Sequence, residues 1–386
     1  MPGLLRHAPA GLILMTLLLA GGGADAGAMT TPAMGGELVA NPNPFSFDAG
    51  PLGTIYVTGA LSGLASWQDS PVPGDREARA DLANGQLFVQ KTDGWFQFYA
   101  DAGAYTLPSL GTPFMSVGHT AHDTYGYLPQ AWLKIAPTEN FSIQAGQLAA
   151  LVGNENAFTF QNFNIERGLL WNQTPLFSRG VQANYTSGPL TLQLSLNDGY
   201  YSDRFNWLTW QAVYSLNDGA DVFSFNGGAN LGRTSYSSLV TPLAQNNSAI
   251  GDLIYTHTSG SWIVSPYIQF SDVPQAVALG FIRNATSISG AVLASYAITP
   301  ELFLAGRAEY ISTSGGDVAG TPNLLYGPGS DAWSLTFTPT FQHGVFYARG
   351  EASYIGALDA AAGDGFGRTL DKSSQVRLML EAGVVF

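Results

Sequence analysis

The residues of this chain best suited to chemistry are a small set of paired charges. Three runs carry an arginine and a glutamate on one parity: Arg307 with Glu309, Arg349 with Glu351, and Arg377 with Glu381. In an extended chain, residues two or four apart share a face, so each run offers a cation and an anion to the same side. A further set, Glu155, Glu166, Arg167 and Arg179, lies in the stretch GNENAFTFQNFNIERGLLWNQTPLFSR (153–179), where the alternation of apolar and polar residues on either side breaks off. Opposite charges on opposite walls of a wet passage orient dipolar solutes and disfavour large apolar ones. The expectation is a narrow zone in which Glu155 and Glu166 face Arg307, Arg349 and Arg377, with Arg167 on the same inward stretch and Lys134 and Arg179 on the wall near it. The plainer alternative is that Arg307–Glu309 and Arg349–Glu351, like Glu381, only satisfy their neighbours. Phe158, Phe160, Phe163 and Trp171 are candidates for a stacking slide for sugars or aromatic solutes; otherwise they pack on a wall and hold the stretch in place.

Other chemistry is thinly represented. His119-Thr120-Ala121-His122-Asp123 has two imidazoles and a carboxylate but no third ligand at a metal-site spacing, so a solvated loop is preferred and no metal is expected. His257 and His343 sit beside turn residues without a suggestive serine or aspartate, and no G-x-S-x-G occurs. No catalytic residue and no cofactor is expected. Without cysteine there is neither a disulfide framework nor a thiolate site. A formal charge of −13 argues against nucleic acid.

Something must position those charges. Charged residues are only 11% of the chain, against about a quarter in a soluble domain. Ser, Thr, Asn, Gln and Gly stand in their place, as suits a sheet with lipid on one face and a polar bore on the other. The start reads as a secretory signal: Arg6 and His7, an apolar run from Ala8 to Ala20, and Ala24-Asp25-Ala26 as the cleavage site, giving 1–26. Residues 27–52, with NPNP, read as a periplasmic lead-in. From Gly53 short turns such as Thr92-Asp93-Gly94 and Asn217-Asp218-Gly219 alternate with longer polar segments (69–83, 106–126, 151–178, 198–205, 232–248, 271–286, 313–331, 357–373). Seven short turns and eight long loops require sixteen strands. Leu190 to Asn197 alternates strictly, and Leu378, Leu380, Ala382, Val384 and Phe386 close the chain on one parity. Trp95, Phe141, Trp262, Tyr296 and Phe303 near short turns, and Trp67, Trp207 and Trp333 near long loops, suggest two interfacial girdles. The expected fold is all-β: a transmembrane antiparallel barrel over 53–386, with 151–179 folded into its bore. The long loops are rich in acid (Asp69, Asp75, Glu77, Asp81, Asp123, Asp203, Asp317, Asp331, Asp359, Asp364, Asp371), which favours cations at the mouth.

The segment Gln144 to Tyr185 carries a more specific likeness. Its Ala-Gly-Gln-Leu strand end, Gly153-Asn154-Glu155 turn, Asn164-Ile165-Glu166-Arg167-Gly168 core and Arg179-Gly180-Val181 re-entry resemble the OmpL-like β-barrel porin family. That resemblance implies a channel of the bacterial outer membrane. The expected function is passive diffusion of small hydrophilic solutes; a substrate-specific channel for a sugar or aromatic solute, or a secreted adhesin, are the alternatives. Expected partners are outer-membrane lipid and lipopolysaccharide, the barrel-assembly machinery through the strand ending in Phe386, and the solutes themselves; a homo-trimer is left open.

Overall fold

The computed structural model describes residues 33–316 and 318–386. The expected signal peptide and the rim residue Asp317 lie outside the described residues. A short strand, β1 (Phe45–Asp48), precedes β2 (Thr54–Gln68), β3 (Ala78–Lys91), β4 (Phe96–Tyr105), β5 (Gln130–Ile135), β6 (Phe141–Ala149), β7 (Phe177–Ser187), β8 (Leu190–Asn197) and β9 (Trp207–Leu216). There follow β10 (Asp221–Asn230), β11 (Ala249–Ser259), β12 (Trp262–Val273), β13 (Ala285–Ala297), β14 (Leu302–Thr313), β15 (Asp331–His343), β16 (Phe346–Leu358) and β17 (Ser374–Val385). Of these seventeen, β1 pairs in register only with β2; the other sixteen form an antiparallel ring in which each strand pairs with its sequence neighbours and β17 returns to β2. Closure leaves no free edge to be solvated in lipid. The last residue completes it: Phe386 and Gly59 exchange both backbone bonds (2.7 and 2.9 Å), and the bare Cα of Gly59 leaves room for the terminal ring.

The side-chain parity falls as a membrane barrel requires. Leu194, Ile268, Leu335, Phe337, Leu378 and Leu380 point outward and are about half exposed, while Arg307, Glu309, Arg349, Glu351, Arg377 and Glu381 point inward and are buried. Connections alternate as expected, short at one end (such as 188–189, 260–261 and 344–345) and long at the other (such as 106–129 and 150–176). In a bacterial barrel the short end is periplasmic. Trp95, Trp262 and Tyr296 are exposed there, but Phe303 and Trp207 face inward. Phe303 shares the parity of Arg307, and the Trp207 indole N–H donates to the Asn246 carbonyl (2.9 Å), so neither joins a girdle. β3 begins at Ala78, inside the segment expected as loop to 83, because Arg79 and Asp81 extend the ladder with polar side chains.

The expected lead-in divides into two parts. Residues 45–48 form β1, which pairs with the stretch of β2 that extends beyond the end of β17. Residues 33–39 lie within the barrel: Glu37 and Leu38 are buried, and Leu38 belongs to the apolar cluster of Phe88, Tyr99, Phe160 and Tyr347.

Ile268 sits at the centre of β12 and is 60% exposed. Replacing it with arginine should cost about 2–4 kcal/mol in reversible unfolding from a bilayer, the midplane value for a lipid-facing charge. A cost near zero would mean that this face meets water.

Candidate functional site

The 150–176 connection between β6 and β7 crosses the bore and has almost no regular structure; only two short 3-10 turns interrupt it. Its backbone polar groups are nevertheless buried and must find partners. The wall charges supply them. Glu351 accepts from the amides of Ile165 (2.5 Å) and Glu166 (2.9 Å). Glu309 accepts from Leu169 (3.1 Å) and Leu170 (3.3 Å), and Glu155, within the connection, from Gly168 (2.9 Å). A Cβ at Gly168 would overlap the Glu309 carboxylate and force it to shift from the amides it accepts from. Wall arginines serve the carbonyls. Arg349 donates to Thr159, Asn162 and Phe163 (2.9, 2.8 and 2.7 Å), and Arg307 to Glu166 (2.8 Å). Arg377 donates to Ser109 and Thr112 of the neighbouring 106–129 connection.

Ion pairs reinforce this frame. Arg307 bonds Glu155 at 2.5 Å and lies 3.2 Å from Glu309; Arg377 pairs with Glu166; Arg349 lies 3.7 Å from Glu381. All of these side chains are essentially fully buried. The sequence-predicted set Glu155, Glu166, Arg307, Arg349 and Arg377 is therefore assembled, but in direct contact instead of across an open gap. Arg349 takes Glu381 as its ion-pair partner, not Glu351, whose oxygens serve the loop amides. Arg167 lies in the same interior. None of its three side-chain nitrogens has a hydrogen-bond partner among the described residues, and its guanidinium lies over the Trp171 ring at 5.2 Å. Burial pulls it down to about 10, so it stays charged at neutral pH, held by the carboxylates of Glu155, Glu166, Glu381 and Glu351.

Arg179 and Lys134 are not part of this cluster. Arg179 binds Asp198 (2.8 Å) and Asp203 (3.5 Å) and lies on the Tyr201 ring, toward the long-loop end. Lys134 faces inward on β5 beside Trp132, across the ladder from Gln97 and Gln144. Phe158 and Phe160 are fully buried against Phe88, Tyr105 and Phe177, which fixes the loop to the β3–β7 wall. His119 and His122 are exposed on a short helix, α1 (Val117–Asp123), and His122 pairs with Asp123. His257 and His343 pair with Asp221 and Glu301 near the short turns. Of the rim acids, Asp75 is buried and tied to Arg79, Gln68 and the Phe114 amide, so it belongs to the loop scaffold.

A cleft remains between the connection and the opposite wall. Asn154, Asn156, Asn162 and Phe163 line it on the loop side, and Gln211, Ser224, Thr256 and Ser265 on the β9–β12 side, with Gly35 of the N-terminal segment. No lining residue is charged. Its volume of about 50 Å³ admits only a few waters. Loop contacts reach this wall too: Gly153 donates to Asn226 (3.2 Å) and Asp252 (3.0 Å), and Asn154 to Ser265 (3.0 Å). Sequence reasoning missed the asparagines, Gln342 and the 33–39 segment, for neutral amides carry no signal of depth and a Gly-Pro-rich stretch looks like a linker.

A closed sixteen-strand ring with an inward-folded connection is the architecture of an outer-membrane porin. Solved channels share the barrel fold at low identity. OmpF of Salmonella typhi, solved with daunomycin, aligns with a TM-score of 0.57 at 9% identity, covering 86% of this chain and 98% of that one. The outer-membrane channel DcaP of Acinetobacter baumannii gives 0.56 at 12%, covering 86% and 97%. OprB of Pseudomonas putida gives 0.55 at 12%, covering 86% and 94%. No curated protein matches the chain in sequence. Residues 54–386 match the family model described as "Putative beta-barrel porin-2, OmpL-like", and the chain belongs to that family of porin-like channels of the bacterial outer membrane.

Removing one partner of a buried ion pair strands the other charge, at about 3–5 kcal/mol. Glu166→Ala, which strands Arg377, should destabilise the barrel by that amount in denaturant unfolding and expose 150–176 to protease. An unchanged midpoint with a resistant loop would mean that the pair does not hold it.

Proposed function

We propose that this channel passes small, uncharged hydrophilic solutes by passive diffusion along the β9–β13 wall. The observation that carries the reading is the division of labour in the bore. Charges cluster where the loop meets β14, β16 and β17, and are consumed there by one another and by backbone groups. The remaining cleft has only amides, hydroxyls and apolar side chains. Such a lining exchanges hydrogen bonds with water or a polyol at little net cost and gives an ion no compensation for its lost hydration. The acidic long loops concentrate cations at the mouth, so residual ion flow should favour cations modestly. The buried charges are proposed as a scaffold for the constriction, with Arg167 offsetting part of their excess of carboxylates. The solved OmpT of Vibrio cholerae includes a trimer form; together with the shared architecture this supports a homo-trimer for the present chain.

A sugar-selective channel is the second reading, favoured by Phe163, whose ring borders the cleft beside Asn162. An aromatic face with a neighbouring amide suits a sugar ring. Phe158 and Phe160 contribute to that reading only as supports of the loop.

Liposome swelling separates these. Under the first reading, small neutral polyols enter faster than anions or cations of equal size, without saturation. Saturation by one sugar that Phe163→Ala abolishes would favour the second. Faster entry of ions than of neutral solutes would overturn both.

A further inference from the structure

The bore is occupied by two pieces of chain held in very different ways. The 150–176 connection is bonded by several buried charges on two walls. The N-terminal segment enters from the short-turn end, beyond β1, and no described residue of it forms an ion pair. Its direct anchors are few. The Gly35 amide donates to the Gln161 carbonyl (2.7 Å). The Gln342 side chain accepts from the Val39 amide (2.8 Å) and donates to its carbonyl (2.9 Å). Leu38 is 2% exposed within the apolar cluster of the wall. Gly36 lies so close to the Asn162 carbonyl that a Cβ would overlap it. The Glu37 carboxylate is buried with neither oxygen hydrogen-bonded among the described residues.

We propose that residues 33–39 are a periplasm-side plug, seated on the constriction loop by glycine contact and on the wall by neutral contacts, whose release opens the cleft to the periplasm while the barrel and loop stay in place. Gly35 is one of the residues that line the cleft, so removing the segment removes part of that lining. The wall that receives it is complete without it: β15, which carries Gln342, and β16, which carries Arg349, keep their ladder partners. Nothing in the barrel must unfold for the segment to leave, whereas moving the loop would strand several buried charges.

Glu37 gives the plug a direction of response to pH. Among the described residues, the charged group that acts on it is Arg349 on β16, with the Ser295 hydroxyl of β13 nearby. Burial pushes its carboxyl from 4.5 up to about 7, with Arg349 acting in opposition. The seated segment thus binds the proton more tightly than the released one. Its seating is fully favoured below about 4.5 and loses that advantage as pH rises through about 7.

This inference rests on the cleft being the conduction path, but not on which solute uses it. The test is single-channel recording of the full mature chain in planar bilayers, in potassium chloride. The chain has no cysteine, so a Val39→Cys, Gln342→Cys pair can be bridged by a short reducible cross-linker. Bridging should hold the channel closed, and reduction should restore openings. Gly36→Val, which pushes the segment off Asn162 without altering the wall, should raise the open fraction severalfold. Raising pH from 4.5 to 8 should also raise the open fraction, and Glu37→Gln should flatten that dependence. Heat-modifiable migration on gels confirms that each variant is a folded barrel. If bridged, reduced and Gly36→Val channels open alike, the segment is not a plug. If they differ as stated but charged solutes pass as readily as neutral ones, the plug stands and the solute reading fails.

Discussion

The structure depends on one exchange. A connection without regular secondary structure is buried in a barrel, and its amides and carbonyls are satisfied by wall carboxylates and arginines. Glu351 and Glu309 act as acceptors for loop N–H groups, and Arg349 and Arg307 act as donors to loop carbonyls. Charged partners make such bonds roughly twice as strong as neutral ones. They also fix a geometry, since each guanidinium or carboxylate meets several groups at once. The cost is desolvation, which becomes tolerable because the buried wall arginines Arg307, Arg349 and Arg377 each have a carboxylate or carbonyl in bonding range. Arg167 tolerates its position through the surrounding acids and the face of Trp171.

That exchange sets the functional properties. Charges used to hold a loop do not face a passing solute. In the proposed reading, the conduction route lies on the other side of the bore, where the cleft lining is uncharged, and discriminates by size and hydrogen bonding more than by charge. The loop is the permanent part of the obstruction. The N-terminal segment carries a single buried carboxylate and a few neutral contacts, and is the part proposed to yield.

Much of the fold was legible. The alternation of short turns with long polar segments yields sixteen strands, and the shared parity of Arg307, Glu309, Arg349 and Glu351 orients the wall. The break in alternation at 153–179 marks the inward connection. Pairing was less legible. Arg307 meets Glu155, and Arg377 meets Glu166, over chain separations that no local pattern encodes. The alternating Arg–Glu runs suggested a field across a gap; Arg349 and Arg307 instead meet loop carbonyls while Glu351 and Glu309 meet loop amides. Phe303 and Trp207 looked like girdle residues by position alone, but parity turns them inward. Residues 33–39 were illegible because the features that seat them, two glycines and one leucine, are also those of a linker.

Hydrogen exchange at the amides of Ile165, Glu166, Gly168, Leu169 and Leu170 in the folded barrel tests the latch most directly. These loop amides should exchange as slowly as those of the strands that hold them, because opening them means breaking buried bonds to Glu351, Glu155 and Glu309. Exchange at the rate of an exposed loop, with the strands still protected, would contradict it.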